Sequence, residues 1–262
     1  MTGAQVTTDE IMVYAASKMI NDGEVALIGT GLPMIAAYLA KATHAPNTVL
    51  IFESGVIDAR SRHMATGVGD FPLVSGAVKT GGLFDSLSLL QGGKIDLGFL
   101  GTAEVDTYGN INSTVIGPYH QPKVRLPGSG GANDIASLAG RVIIIAKHQK
   151  RKFPAKLSYL TTPGFIDGPG ARERYGLRGK GPQKLISDLG IFGFDEETKR
   201  MRIESLHPGV TLEMVKENTG FELLGADGDI PTTEIPPAEI VRLIRELDKD
   251  KIYINKDKGG DS

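Results

Sequence analysis

The stretch Asn47-Thr48-Val49-Leu50-Ile51-Phe52-Glu53-Ser54-Gly55 decides how the chain reads. Thr48 to Phe52 is an unbroken apolar, β-branched run with the length of a fully buried strand, the kind a parallel sheet uses. The run stops at an acid, a hydroxyl and a glycine, so Glu53 stands where a buried strand leaves its sheet. Open α/β sheets bind ligands outside the carboxyl ends of their strands. In that place Glu53, with Ser54 and Gly55 behind it, is a ligand contact, a reacting group, or a cap for the next segment. A carboxylate is a weak nucleophile in water, and partial burial strips its hydration and raises its reactivity.

Upstream, Thr7-x-x-Glu10 has the form of a capping box, and Ile11, Met12, Ala15, Ala16, Met19 and Ile20 share one helical face after it. Gly23 is placed to terminate that helix. Val25 to Ile28 reads as a short buried strand ending at Gly29-Thr30-Gly31, and Pro33 suits the first turn of a second helix to about residue 42. The order α-β-α-β is a parallel-sheet signature. The expected fold class is therefore α/β, an open, mostly parallel sheet flanked by helices. It is expected as one domain over residues 1–262, with a frayed polar tail from about 256 to 262.

Downstream, glycines interrupt residues 55–82, which read as loop with short strands, Val74 marking one of them. A helix is expected from Leu83 to Gln91, and strands over Ile95–Leu100, Ile111–Ile116 and Arg141–Ala146. Tyr108-Gly109-Asn110 reads as a turn. Gly128-Ser129-Gly130-Gly131 leads into a short helix from Ala132 to Ala139. Helical patterns return near Thr211–Glu217 and after Pro236-Pro237.

Composition narrows the function classes. A net charge of -2 lacks the basic excess of a nucleic-acid binder, and the 6% aromatic content without tryptophan leaves few stacking surfaces. The absence of cysteine removes disulfides, thiolate metal sites and a cysteine nucleophile. Residues 1–8 lack the basic and apolar regions of a signal peptide, and no apolar run reaches the roughly 18 residues of a membrane helix. The expectation is a cytoplasmic protein without membrane or nucleic-acid partners. The 34 glycines in 262 residues are nearly twice the average share of about 7%, and point to tight loops and close backbone approaches.

Three further segments carry candidate chemistry. Gly128-Ser129-Gly130-Gly131-Ala132 can aim backbone N–H groups at a phosphate or at the oxyanion of a tetrahedral intermediate, or can be a tight β–α connection. Gly29-Thr30-Gly31, followed by an acid closing the next strand, imitates a dinucleotide fingerprint, but Met34 occupies the place of its third glycine. The basic run Lys147 to Lys156 reads as a solvated surface or a phosphate contact. His120 and His148 lack ligand spacing to a second histidine, so no metal is expected.

Taken together, Glu53-Ser54-Gly55 after its apolar strand, Gly109-Asn110-Ile111-Asn112-Ser113-Thr114 and Gly128 to Ala132 resemble the β subunits of family I coenzyme A transferases, within that family the glutaconate CoA-transferase kind. Ile28 to Pro33, Lys147 to Phe153, Pro163 to Gly170 and Glu217 to Gly220 extend the resemblance in order along almost the whole chain. The resemblance implies the CoA-transferase superfamily fold and a chain that works with a separate α subunit, its site lying between subunits. It implies Glu53 as the residue that attacks an acyl-CoA and passes through a mixed anhydride to a glutamyl-CoA thioester. It also implies Gly128, Ser129, Gly130, Gly131 and Ala132 as the oxyanion and thioester-binding loop. Gly29, Thr30, Gly31, Ser54 and Gly55 are candidates for the substrate pocket. Coenzyme A thioester is then a substrate, and no permanently bound cofactor is expected. The acceptor is a carboxylic, and by expectation dicarboxylic, acid, for which Arg60, Arg62 and Lys79 are candidate cations. Relatives on the scaffold that hydrolyse or decarboxylate CoA esters are the alternative.

Overall fold

The computed structural model describes residues 5–61 and 63–254. The tail expected to fray and the candidate Arg62 lie outside the described residues. The chain groups into two compact units, residues 1–88 with 234–262, and residues 89–233.

In the first unit, α1 (Thr8–Ser17) opens with the capping box its sequence predicts. Glu10 N–H donates to Thr7 Oγ1 at 3.3 Å, and Thr7 N–H donates to Glu10 Oε2 at 2.8 Å. Arg245, on the C-terminal helix Ala238–Leu247, donates to the same carboxylate at 2.6 Å. The helix ends at Ser17, well short of Gly23. The Glu24 carboxylate takes both the backbone and side-chain N–H of Asn21, so a turn forms there, and Gly23 serves that turn with φ +81°.

Strand β1 (Val25–Ile28), α2 (Leu32–Ala42) and β2 (Val49–Phe52) follow as the sequence predicts. β1 and β2 are parallel, with Ile28 opposite Phe52. Both strand ends therefore emerge at the same edge, and Gly29-Thr30-Gly31 lies beside Glu53-Ser54-Gly55. β3 (Val56–Ile57) and β4 (Lys79–Thr80) continue antiparallel from β2. Val74 is not in a strand but ends a 3-10 turn over Phe71–Val74. Asp70 accepts the Phe71 N–H at 2.9 Å, and Pro72 fixes its own φ and has no N–H for a ladder. Leu50, Phe52, Ile28, Met34, Ile35 and Leu39 are fully buried, and each such side chain contributes roughly 1.5–3 kcal/mol by leaving water. α3 (Leu83–Gln91) has the predicted bounds.

In the second unit, β5 (Leu97–Gly101) pairs in parallel with β10 (Arg141–Ala146), and β10 in parallel with β11 (Pro182–Ser187). β12 (Gly190–Phe194) and β13 (Met201–Leu206) complete the sheet antiparallel. The sheet of this unit is thus mixed, parallel over β5, β10 and β11 and antiparallel at β12 and β13. Two small ribbons stand apart from it: β6 (Glu104–Val105) with β7 (Ile111–Asn112), and β8 (Val115–Ile116) with β9 (Val124–Arg125). The strand expected over Ile111–Ile116 is therefore two strands with a break at Ser113-Thr114. The Asn112 side chain causes the break, because its Oδ1 accepts the N–H groups of Thr114 and Val115 at 3.0 and 3.3 Å. α4 (Ala132–Leu138), α5 (Ala171–Arg174) and α6 (Leu212–Glu217) are short.

Candidate active site

Glu53 follows β2 directly and is half-buried, as is Ser54, while Gly55 is buried. The turn is held at every step by backbone. Gly55 N–H donates to Phe52 O at 2.9 Å, and Asp58 N–H donates to Leu50 O at 2.6 Å. Gly81 N–H donates to Gly55 O at 2.9 Å. Gly55 has φ +95°, and a Cβ there would meet Gly81 C and Gly82 N at 2.6 Å. Only glycine fits a position that combines a left-handed φ with a neighbouring backbone pressed against its Cα. On the other side, Ser86 Oγ on α3 donates to the Glu53 carbonyl at 2.6 Å. Lys41 on α2 bonds both Thr48 O and Asp58 Oδ1 at 2.6 Å, so the hairpin after Glu53 is tied back to the helix in front of its strand. Glu53 thus projects from a rigid backbone, which is what a reacting group needs. Ser54 Oγ is buried without a hydrogen-bond partner among the described residues, as are the side-chain oxygens of Tyr38, Thr107, Ser113 and Thr162.

Gly29 and Thr30 are half-buried at the end of β1, and Gly31 has φ +94° as the residue before α2. Met34, in the place of the missing third glycine, is completely buried. Sequence reasoning did not anticipate the neighbour of this turn. Asp248 accepts the N–H groups of Ile252, Tyr253 and Ile254 at 2.7–2.9 Å and folds the segment after the C-terminal helix into a knot. From it the Tyr253 hydroxyl donates to Ala65 O at 2.5 Å. Burial raises the Tyr253 pKa, and hydrogen bonding with Thr30 and the Gly31 backbone opposes the rise. The only sequence signal was the Asp248-Lys-Asp-Lys-Ile-Tyr253 run after an amphipathic helix, where an aspartate can gather several amides. Of the candidate cations, Arg60 is exposed, and Lys79 is exposed and faces Asp85 at 3.6 Å.

Gly128 to Ala132 belongs to the second unit. Gly128 and Gly130 have φ of +99° and +49°. Gly128 N–H is spent on Ser113 O at 2.8 Å, and Ala132 N–H on Ser129 O at 2.9 Å. These two amides fix the loop and are not available to a ligand. The N–H groups of Ser129 and Gly130 have no acceptor among the described residues. The Gly109 to Thr114 motif is architectural. Asn110 Nδ2 donates to Asp106 Oδ2 and Ile166 O at 2.9 and 2.7 Å, and Asn110 Oδ1 accepts from Gly164 and Ile166 N–H at 2.8 and 2.9 Å. Every donor and acceptor of this buried amide is used. Burial raises the Asp106 pKa, while hydrogen bonds from Asn110 and Tyr108 oppose the rise.

The basic run is also largely structural at His148. Its ring stacks on Phe153 at 3.8 Å, bonds Ser187 Oγ and Thr219 Oγ1 at 3.1 and 2.9 Å, and is pushed by burial to a pKa of about 3. No group of three His, Asp or Glu side chains among the described residues is arranged to hold a metal ion. Among the same residues, no helix is long and apolar enough to cross a membrane.

The model of the coenzyme A transferase family matches residues 10–218. The chain belongs to the coenzyme A transferase family. It is 43% identical over 258 residues to the B subunit of 3-oxoadipate CoA-transferase from Pseudomonas knackmussii, covering 97% of this chain and 98% of the relative. It is 41% identical over 258 residues to the B subunit of glutaconate CoA-transferase from Acidaminococcus fermentans, covering 95% of each. The crystal structure of the Acidaminococcus fermentans glutaconate enzyme superposes with a TM-score of 0.90 at 39% identity, over 96% of this chain and 98% of that one. The decarboxylase AibA/AibB is more distant, at TM-score 0.80 and 26% identity over 95% of this chain and 97% of that one. Within the CoA-transferase family the similarity thus runs to B subunits along their full length, and the α/β fold is the family's.

Proposed function

We propose that this chain is the B subunit of a CoA-transferase that moves coenzyme A between an acyl-CoA and a carboxylic acid, with Glu53 as the covalent nucleophile. The observation that carries the reading is the rigid turn that presents a half-buried Glu53 at the end of a parallel strand. Full-length similarity to subunits named for 3-oxoadipate and glutaconate CoA-transferases supports a dicarboxylic acid as acceptor. The same names support a separate α subunit as partner.

In the proposed reaction a Glu53 carboxylate oxygen attacks the thioester carbonyl. The carbon–sulfur bond breaks, CoA leaves as thiolate, and an anhydride joins Glu53 to the acyl group. The thiolate then attacks the Glu53 carbonyl carbon, expels the donor acid as carboxylate and leaves a glutamyl-CoA thioester. The acceptor carboxylate repeats these steps in reverse order. One thioester is exchanged for another, so the sequence is near thermoneutral and needs no external energy source. Each addition places negative charge on an oxygen, and the free N–H groups of Ser129 and Gly130 are donors of the kind that stabilises it. Water must be kept from the anhydride and the thioester, and a turn without slack serves that need.

The test uses this chain assembled with its α subunit, succinyl-CoA as donor, and 3-oxoadipate or glutaconate as acceptor. Transfer predicts steady consumption of succinyl-CoA only when an acceptor is present, with succinate and a new acyl-CoA formed in equal amounts and no net free CoA, and loss of turnover in Glu53→Ala and Glu53→Gln. Steady release of free CoA without acceptor would instead establish a hydrolase. Ser129→Pro deletes one proposed oxyanion donor and should lower kcat by roughly 100-fold.

A further inference from the structure

Two attachments of the Gly128 loop run through one residue. At its start, Gly128 N–H and Leu126 N–H donate to the carbonyls of Ser113 and Thr114 at 2.8 and 3.0 Å. Ser113 and Thr114 are the break between β7 and β8, where no ladder holds the backbone. Asn112 Oδ1 takes the Thr114 N–H there, and Thr161 Oγ1 accepts the Ser113 N–H at 2.9 Å and bonds Thr114 Oγ1 at 2.7 Å. At the other end of the loop, Asn133 in the first turn of α4 donates from Nδ2 to the Thr161 carbonyl at 2.9 Å. Thr161 is 9% exposed, and its own backbone is fixed by donation to Ile111 O at 3.0 Å. Beneath it lies Asn112, completely buried, which donates to Glu104 Oε2 and Val115 O at 2.7 Å each.

We infer that Thr161 is a positioning residue for the reaction, setting both ends of the Gly128–Ala132 loop so that the Ser129 and Gly130 N–H groups point at the developing oxyanion. This rests on the oxyanion role proposed for the loop. The physical reason is geometric. Oxyanion donors act only when held about 2.7–3.1 Å from the charge they stabilise, and Gly128 and Gly130, both at positive φ, have no side chains to hold the loop there. Stiffness has to be supplied from outside the loop. Thr161 supplies it through a hydroxyl at one end and a carbonyl at the other. Its sequence context, Thr161-Thr162-Pro163, carries no sign of it, because the partners lie 28 and 48 residues away.

The experiment compares Thr161→Val with Thr161→Ser in the assembled enzyme. Valine keeps the shape of threonine and removes the hydroxyl; serine keeps the hydroxyl and removes a methyl group. Thr161→Val should lower kcat by roughly tenfold to 100-fold, with KM for succinyl-CoA changed less than about threefold, and Thr161→Ser should restore most of the rate. Asn133→Ala, an exposed site, releases only the second attachment and should lower kcat in the same direction, which keeps the idea testable if Thr161→Val does not assemble. A Thr161→Val enzyme that melts earlier but turns over at the wild-type rate would overturn the inference, as would equal rates for the valine and serine variants. If Ser129→Pro slows the enzyme and Thr161→Val and Asn133→Ala do not, the inference alone fails. If Ser129→Pro also leaves the rate unchanged, the oxyanion reading fails with it.

Discussion

Replacing Gly55 by alanine tests how the Glu53 turn is built. Gly55 has φ +95°, so any Cβ there is strained, at a cost of about 1–2 kcal/mol. The same Cβ would meet the backbone of Gly81 and Gly82 at 2.6 Å, and backbone yields less readily than a side chain. Forcing extra volume into a packed site adds about 1–3 kcal/mol, for a total of about 2–5 kcal/mol. Two other glycines separate the contributions. Gly23 has φ +81° and open space, so Gly23→Ala should show the backbone strain alone, about 1 kcal/mol. Gly67 has open space and no left-handed φ, so Gly67→Ala should stay within about 0.5 kcal/mol of the parent. For a chain of this size about 2–4 °C of melting temperature corresponds to 1 kcal/mol, so Gly55→Ala should melt roughly 4–20 °C below the parent. Thermal denaturation of the assembled enzyme reads the order Gly67, Gly23, Gly55. Glu53 sits two residues before the clash, so kcat should also fall in Gly55→Ala and remain normal in Gly23→Ala. A Gly55→Ala enzyme that melts and turns over like Gly67→Ala would refute the proposed construction of the turn.

Two further expectations concern the stability of the fold. Burial lowers the His148 pKa to about 3 from 6.5, so between those values the unfolded chain binds a proton that the folded chain does not. Stability from this group is therefore complete above pH 6.5 and falls as pH drops toward 3, by up to about 1.4 kcal/mol per pH unit. Urea unfolding at several pH values should show a shallower acid slope in His148→Gln than in the parent, and parallel slopes would contradict the assignment. Asp248→Ala removes the acceptor of three backbone N–H groups and should cost about 2–4 kcal/mol, seen as a lower urea midpoint and faster proteolysis near Tyr253. Wild-type protection in that variant would show that the knot does not depend on the carboxylate.

The elements around Glu53 were legible because buried parallel strands are continuous apolar runs. β2, β1, α2 and α3 follow directly from that pattern and from Pro33. Breaks made by side chains were not legible. Asn112 captures two amides and cuts a strand that alternation alone would carry to Ile116. β11 to β13 escaped because they are not continuous apolar runs: Gln183 and Lys184 stand in β11, Gly190 and Gly193 in β12, and Arg202, Glu204 and Ser205 in β13. Glu53 and Gly128 stood out through local residue type. The residues that hold them, Ser86 and Thr161, did not, because their contacts join segments 33 and 48 residues apart.

The nucleophilic role of Glu53 has a direct measurement. The assembled enzyme is mixed with succinyl-CoA in the absence of acceptor, quenched in acid, and this chain is weighed by mass spectrometry and mapped by peptide. A nucleophilic Glu53 predicts a mass gain equal to coenzyme A less one water, confined to the peptide carrying Glu53, absent in Glu53→Ala, and discharged on adding 3-oxoadipate or glutaconate. An unmodified chain in an enzyme that still transfers coenzyme A at full rate, with Glu53→Ala equally active, would contradict it.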